Sequence, residues 1–431
     1  MHIKRKIALL FCAVFCLPVI LYGCGKGKEP APSSAVSESA GMASENAPQE
    51  SRESSLEASL ESSQEPPQEV PPEMPSEPSQ TPAEPIDDQP DIFSFYREKA
   101  ASMAAQMGTE EKVWQIFLAG IPKGADPGVF AESHPAGGYL LFRWDFEGLD
   151  ADGVRQKMES LSGGDVQPLL AVDEEGGEIV RVSCHKALRE ESFPAPSVLW
   201  TKGGADAVYG DAYEKGQFLS GLGLNLCLAP VADVSEDPDD YIYSRTIGGS
   251  AKETGWYVSA AVKGLQDGGV GSTLKHFPGY GNNENTHTGI AVDERTLAQF
   301  KNVDLKPFAA GMEAGCGSVL VSHNIVNAFD KERPASLSPA VHDYLREEMG
   351  FSGLIMTDDL IMGAIGDYAG DEAPAVAALK AGNDLLVHGD AEQGVRDILA
   401  ALEDGSLEME LVDRAVEQVL CYKLWLGIIE R

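Results

Sequence analysis

The chain is poor in positive charge. Against 68 Asp and Glu it carries 33 Lys and Arg, a formal net charge of −35 over 431 residues. Its sequence pI is near 4.5. Such a balance argues against nucleic acid and against anionic surfaces as partners. Cysteine is also scarce. Past residue 91 only Cys184, Cys227, Cys316 and Cys421 remain, widely spaced. No C-x-x-C and no H-E-x-x-H occurs, so nothing supports a structural zinc site, and no metal or cofactor is expected. A disulfide stays open, because spacing cannot pair these thiols. The first apolar run past residue 91 is not followed by a Gly-rich phosphate fingerprint, which disfavours a nucleotide-binding open sheet.

A long apolar span is missing too. The N-terminal run Ile7–Tyr22 is shorter than the roughly 20 residues that cross a bilayer. Behind a basic start (His2, Lys4, Arg5, Lys6) it reads as a secretory signal. It ends in Leu21-Tyr22-Gly23-Cys24, which resembles a bacterial lipoprotein signal. Residues 1–24 are therefore expected to direct export, with Cys24 as the lipidation site and the membrane reached through the lipid anchor. Residues 25–91 are Ser, Pro and Glu with almost no large apolar side chain. Such a segment cannot offset its ordering entropy by burial, and a disordered extended stalk is expected. Residues 92–431 suit one large α/β domain.

What is present in that domain is a series of short apolar runs. They are WQIFLAGI, GGYLLFR, PLLAVDEEGG, LNLCLAPVADV, GSTLKHFPG, SVLVSHNI, GLIMTDDL and NDLLVHGD. Eight such runs, separated by amphipathic stretches that often close on glycine, read as buried parallel strands alternating with helices. The fold class is α/β, a (β/α)8 barrel, with a doubly wound sheet as the alternative. In a barrel, chemistry sits where strands end. Five runs end in polar groups: Asp173, Glu174 and Glu175; Asp233; Lys275 and His276; Ser322, His323 and Asn324; Thr357, Asp358 and Asp359. Together they predict one polar pocket.

Carboxylates with Lys, Arg and His but no metal motif suit hydrolysis of a polyol. Glycoside cleavage needs a carboxylate at the anomeric carbon and a proton donor at the leaving oxygen. Asp358 or Asp359 can supply the first. Strand neighbours point to opposite faces, so one of the two is expected at the mouth, and periodicity does not choose. Asp359 is expected to pair behind the barrel and Asp233 to orient a neighbouring Lys or Arg. Glu174 and Glu175 are expected to support the site. His323 is expected as a buried, hydrogen-bonded pocket wall.

Three stretches, AVDEEGGEIVRV (171–182), LKHFPGYGNNENTHTG (274–289) and GLIMTDDLIMGAI (353–365), resemble in order and spacing a family 3 glycoside hydrolase. The resemblance is closest to the β-N-acetylglucosaminidase (β-N-acetylhexosaminidase) branch and covers essentially all of 92–431. It implies a (β/α)8 barrel and a retaining double displacement. It implies Asp358 as nucleophile and His287, on the loop after the fifth strand, as acid/base. It implies sugar binding by Asp173, Arg181, Arg245, Lys275 and His276. The expected partner is a carbohydrate, a terminal β-linked N-acetylglucosaminide of cell-wall fragments or related glycans, and a monomer is expected. One position departs from the family's Asp-x-His dyad: here it reads Asn285-Thr286-His287. Asn285 can accept a hydrogen bond from the imidazole but supplies no charge, and Glu284 is an alternative partner. That departure keeps open a sugar-binding lipoprotein with impaired catalysis. It also keeps open a β-glycosidase or phosphorylase of another specificity.

Overall fold

The computed structural model describes residues 91–164, 166–281, 291–361, 365, 368 and 372–430. The signal, Cys24, the stalk up to residue 90, and the loop positions Glu284, Asn285 and His287 lie outside the described residues.

All eight apolar runs contain strands: β1 Phe117–Gly120, β2 Gly138–Leu141, β3 Leu169–Val172, β4 Leu226–Cys227, β5 Gly271–Phe277, β6 Ser318–Val321, β7 Leu354–Thr357 and β8 Leu386–His388. They pair in parallel in the order β8-β1-β2-β3-β4-β5-β6-β7. A parallel bridge from Met356 to Leu385 joins β7 to the start of β8 and closes the ring. Closure rules out the doubly wound alternative. Every residue of the eight strands is buried. One face fills the barrel and the other meets helices, so the strands read as unbroken apolar runs rather than alternating ones. A short ribbon, Val292–Asp293 with Ile325–Val326, lies outside the barrel sheet.

Helix starts follow local side-chain chemistry. Asp150 and Asp390 each accept a backbone N–H of the first turn, and Ser250 and Glu253 form a reciprocal capping box. Each such cap is worth about 1 kcal/mol. The Pro196–Gly221 and Ala251–Asp267 helices touch along glycines. A Cβ on Gly216 would lie 2.7 Å from the Leu265 carbonyl oxygen, and one on Gly264 2.6 Å from that of Tyr209. An alanine at either site would push the helices apart, typically at a cost of about 1–3 kcal/mol. The SPAVHDYLREEMG stretch forms Pro339–Asp343 and then a widened turn, Tyr344–Glu348.

The ends of the domain meet at the base of the barrel. Arg97 donates to Gln418 at 2.7 Å and Lys112 pairs with Asp413 at 2.6 Å, tying the first helices to the last, Met409–Leu426. In that last helix Lys423 is fully buried and donates to Gln115 Oε1 at 2.9 Å. The four cysteines past residue 91 are free thiols, which closes the disulfide question left open by spacing. Among the described residues no helix is long and apolar enough to cross a membrane.

Candidate active site

The C-terminal ends of the strands surround a cavity of about 450 Å³. That size suits a small ligand held mostly inside the protein. The described residues that the resemblance marks as nucleophile and sugar-binding meet there: Asp173 after β3, Arg181 in the following loop, Arg245 in the turn Tyr243–Arg245, Lys275 and His276 at the end of β5, and Asp358 after β7. Glu174, Asp233, Ser322, His323, Asn324 and Thr357, also expected at the pocket, are buried but do not line it. Lys275 and His276 are sequence neighbours, yet both line the cavity. The register of β5 against β6 shifts between Leu274 and Phe277, and such an irregularity re-aims side chains that strict alternation would separate.

The cations are held by a continuous ionic network. Lys275 Nζ lies 2.6 Å from Asp173 Oδ1 and 2.6 Å from Glu175 Oε1. Arg245 grips Glu175 with two parallel bonds, Nε to Oε2 at 2.9 Å and a terminal nitrogen to Oε1 at 2.7 Å. Arg181 lies 3.8 Å from the other oxygen of Asp173. Burial works to raise the Glu175 pKa, but the Arg245 and Lys275 charges outweigh it and hold the carboxyl below its usual range. Burial works to lower the Lys275 pKa, and Asp173 and Glu175 overcome it, so the amine is held above its usual value. Glu175 therefore supports the site as expected, by direct contact with two of the cations. Glu174 does so at one remove: its carboxylate accepts the N–H groups of Arg181, Val182 and Ser183 at 2.8, 2.8 and 3.1 Å.

Asp233 does not orient a Lys or Arg. Its Oδ2 meets His276 Nδ1 at 2.7 Å, and its carboxylate also accepts the backbone N–H groups of His276 and Tyr280 at 3.1 and 2.6 Å. Arg245 donates to His276 Nε2 at 3.1 Å. A guanidinium only donates, so Nε2 accepts and Nδ1 carries the proton toward Asp233. The contact spans 43 positions of sequence, and the distance along the chain hid it.

Asp358 and Asp359 both line the cavity, contrary to the alternation expectation. β7 ends at Thr357, so the pleat no longer applies to them. Asp358 is held by its backbone N–H on Val321 and by the Asp359 N–H, which donates to its Oδ1 at 2.8 Å. Asp359 is at the mouth, not behind the barrel: its Oδ1 accepts from Gly389 N at 3.0 Å and Ile361 N at 3.2 Å. Burial raises its pKa despite those two donors. His323 is buried and hydrogen-bonded, as expected, but it does not form a wall of the cavity: it sits behind the lining and bridges Ser336 Oγ at 2.7 Å and the Asp359 carbonyl at 3.0 Å. It braces the turn that follows β7.

His287 lies outside the described residues, but both flanks of its loop are described. Arg295 pairs with Asp293 at 2.7 Å and with Asp304 at 2.9 Å. A Cβ on Gly279 would lie 2.5 Å from Asp304 Cβ, and one on Gly281 2.4 Å from the Arg295 guanidinium. Both glycines have positive φ, 126° and 57°. The cluster packs directly against the incoming flank, which is why glycine is required there. Among the described residues no group of His, Cys, Asp or Glu is arranged to hold a metal ion. Phe142, Tyr241 and Ile361 also line the cavity. The sequence reading missed all three.

A closed barrel whose mouth sets two carboxylates opposite a paired Lys–Arg cluster defines a (β/α)8 enzyme site for a hydroxyl-rich ligand. Residues 144–422 match the glycosyl hydrolase family 3 N-terminal domain. The β-hexosaminidase LpqI of Mycobacterium tuberculosis is 31% identical over 334 residues, which span 75% of this chain and 84% of the relative. A β-hexosaminidase of Idiomarina loihiensis is 32% identical over 297 residues, 66% of this chain and 86% of the relative. The solved family 3 β-N-acetylglucosaminidase of Paenibacillus sp. FPU-7 superposes with a TM-score of 0.69 at 29% identity, covering 75% of this chain and 63% of that one. The structure of M. tuberculosis LpqI superposes with a TM-score of 0.66 at 28% identity, covering 74% and 95%. The chain belongs to glycoside hydrolase family 3.

Proposed function

We infer that the protein is a β-N-acetylhexosaminidase that hydrolyses terminal β-linked N-acetylglucosamine by a retaining route. The observation that carries the reading is the shared cavity. Asp358 lines the same space as Asp173, Arg181, Arg245, Lys275 and His276. Hydroxyls of a bound sugar can pair with Asp173 and Lys275, and Arg181 and Arg245 can donate to hydroxyl or amide oxygens. Both ring nitrogens of His276 are engaged, one by Asp233 and the other by Arg245, so its role is to position Arg245.

In the first step the Asp358 carboxylate attacks the anomeric carbon and the bond to the aglycone breaks. The leaving oxygen takes a proton from His287. In the second, His287 takes a proton from water, the water oxygen attacks the same carbon, and Asp358 departs. Two inversions retain the configuration. The natural substrates are cell-wall fragments or related glycans outside the cytoplasm, reached from a membrane anchor at Cys24 across the residue 25–91 stalk.

Asp358→Ala tests the reading. Turnover of an aryl N-acetylglucosaminide should fall by at least ~10³-fold with an unchanged circular dichroism spectrum. A fluorosugar inactivator should label Asp358 in the wild type. Labelling of Asp359 instead overturns the assignment.

A further inference from the structure

The cavity has two unlike sides. The ends of β3 to β5 supply the cations and the carboxylates that hold them. The ends of β7, β8 and β2 supply Asp358 and Asp359 and, beside them, an apolar wall of Ile361, Val387, Leu140 and Phe142. Glycines make that wall continuous. A Cβ on Gly120 would lie 3.6 Å from the Phe142 ring and 3.3 Å from Gly389 Cα, and one on Gly389 would lie 2.5 Å from Ile361 Cδ1.

Trp144 extends this wall outward. Its ring stacks on Phe142 with centroids 4.6 Å apart and planes at 19°. It is 40% exposed and Ile361 is 56% exposed. The turn that presents the indole, Arg143–Phe146, is fixed from several directions. Asp145 accepts the Phe142 N–H at 2.8 Å and the Lys157 amine at 2.7 Å, Phe146 is fully buried, and His185 donates to the Arg143 carbonyl at 3.0 Å. An indole held so firmly and left open to water is not accounted for by core packing.

We propose that Trp144, backed by Phe142 on the cavity wall, forms an aglycone subsite that takes a second pyranose ring by stacking. The proposal rests on the reading of the cavity as a β-N-acetylglucosaminidase site. With the glycone on the side of the cations and its anomeric carbon at Asp358, the leaving group continues past Ile361 toward Phe142 and Trp144. A pyranose has an apolar face of C–H groups and a rim of hydroxyls. It can lie flat on an indole while its rim stays in water, and a rigid aromatic binds it with little loss of entropy. The substrate class that follows is an oligosaccharide whose penultimate unit is a sugar.

The test compares methyl β-N-acetylglucosaminide, which has no second ring, with N,N′-diacetylchitobiose, which has one. The measure is the disaccharide-to-methyl-glycoside ratio of kcat/KM. Trp144→Ala should lower that ratio about tenfold, and Trp144→Phe should restore most of it. A ratio equal to wild type in Trp144→Ala overturns the proposal. Equilibrium titration with N-acetylglucosamine and the disaccharide must show the same change, and it needs no turnover. If the wild type releases no sugar from the methyl glycoside, the hydrolase reading fails, and the titration alone then decides the subsite.

Discussion

Lys423 offers a test of the fold's energetics with a definite sign. The side chain is fully buried, and its amine donates to Gln115 Oε1 at 2.9 Å. Burial pushes its pKa down from 10.5 to about 7. Above pH ~10.5 the amine is neutral in both folded and unfolded chains, and burial costs no ionisation energy. Between ~10.5 and ~7 the unfolded chain holds a proton that the folded chain lacks. Wild-type stability therefore falls as pH falls through this window, by up to roughly 5 kcal/mol, and no further below it. Lys423→Met keeps the chain length and removes the titration. It also strands the Gln115 oxygen, at about 1–3 kcal/mol. The variant should then exceed the wild type by roughly 2–4 kcal/mol at pH 6, a difference that shrinks with rising pH and vanishes or reverses near pH 10. Urea unfolding followed by tryptophan fluorescence at pH 6, 8 and 9.5 measures it. A difference that does not change with pH, or a variant weaker at pH 6, refutes the reasoning.

Three further outcomes are expected. Glu175→Gln should destabilise the protein by about 3–5 kcal/mol, because it leaves Lys275 and Arg245 buried with less compensating charge; chemical denaturation reads the loss, and a rise in KM larger than the fall in kcat reads the effect on sugar binding. Asn285→Asp should raise kcat/KM more for a disaccharide than for a nitrophenyl glycoside, since a carboxylate beside His287 favours its protonated form and only the poor leaving group depends strongly on it; equal gains on both substrates would count against that role. Cys24→Ser should move the protein from the membrane fraction to the soluble one, and an unchanged distribution would refute the lipid anchor.

Which parts of this protein were visible in its sequence follows from how far apart the interacting groups lie. The eight strands could be read because each is buried on both faces, so a short apolar run bounded by polar residues marks it without reference to any neighbour. The pocket residues could be read for the same reason: Asp173, Lys275, His276 and Asp358 directly follow or end such runs. What needed the tertiary structure was every relation between them. Asp233 finds His276 rather than a cation because β4 and β5 are adjacent in space. Asp358 and Asp359 share the cavity because the strand has already ended. Gly279 and Gly281 are required because Asp304 and Arg295 pack against them from later in the chain. The apolar wall was hidden for a different reason. Phe142, Trp144 and Ile361 have the composition of core residues, and only their placement at an open barrel mouth separates a sugar-facing aromatic from a buried one.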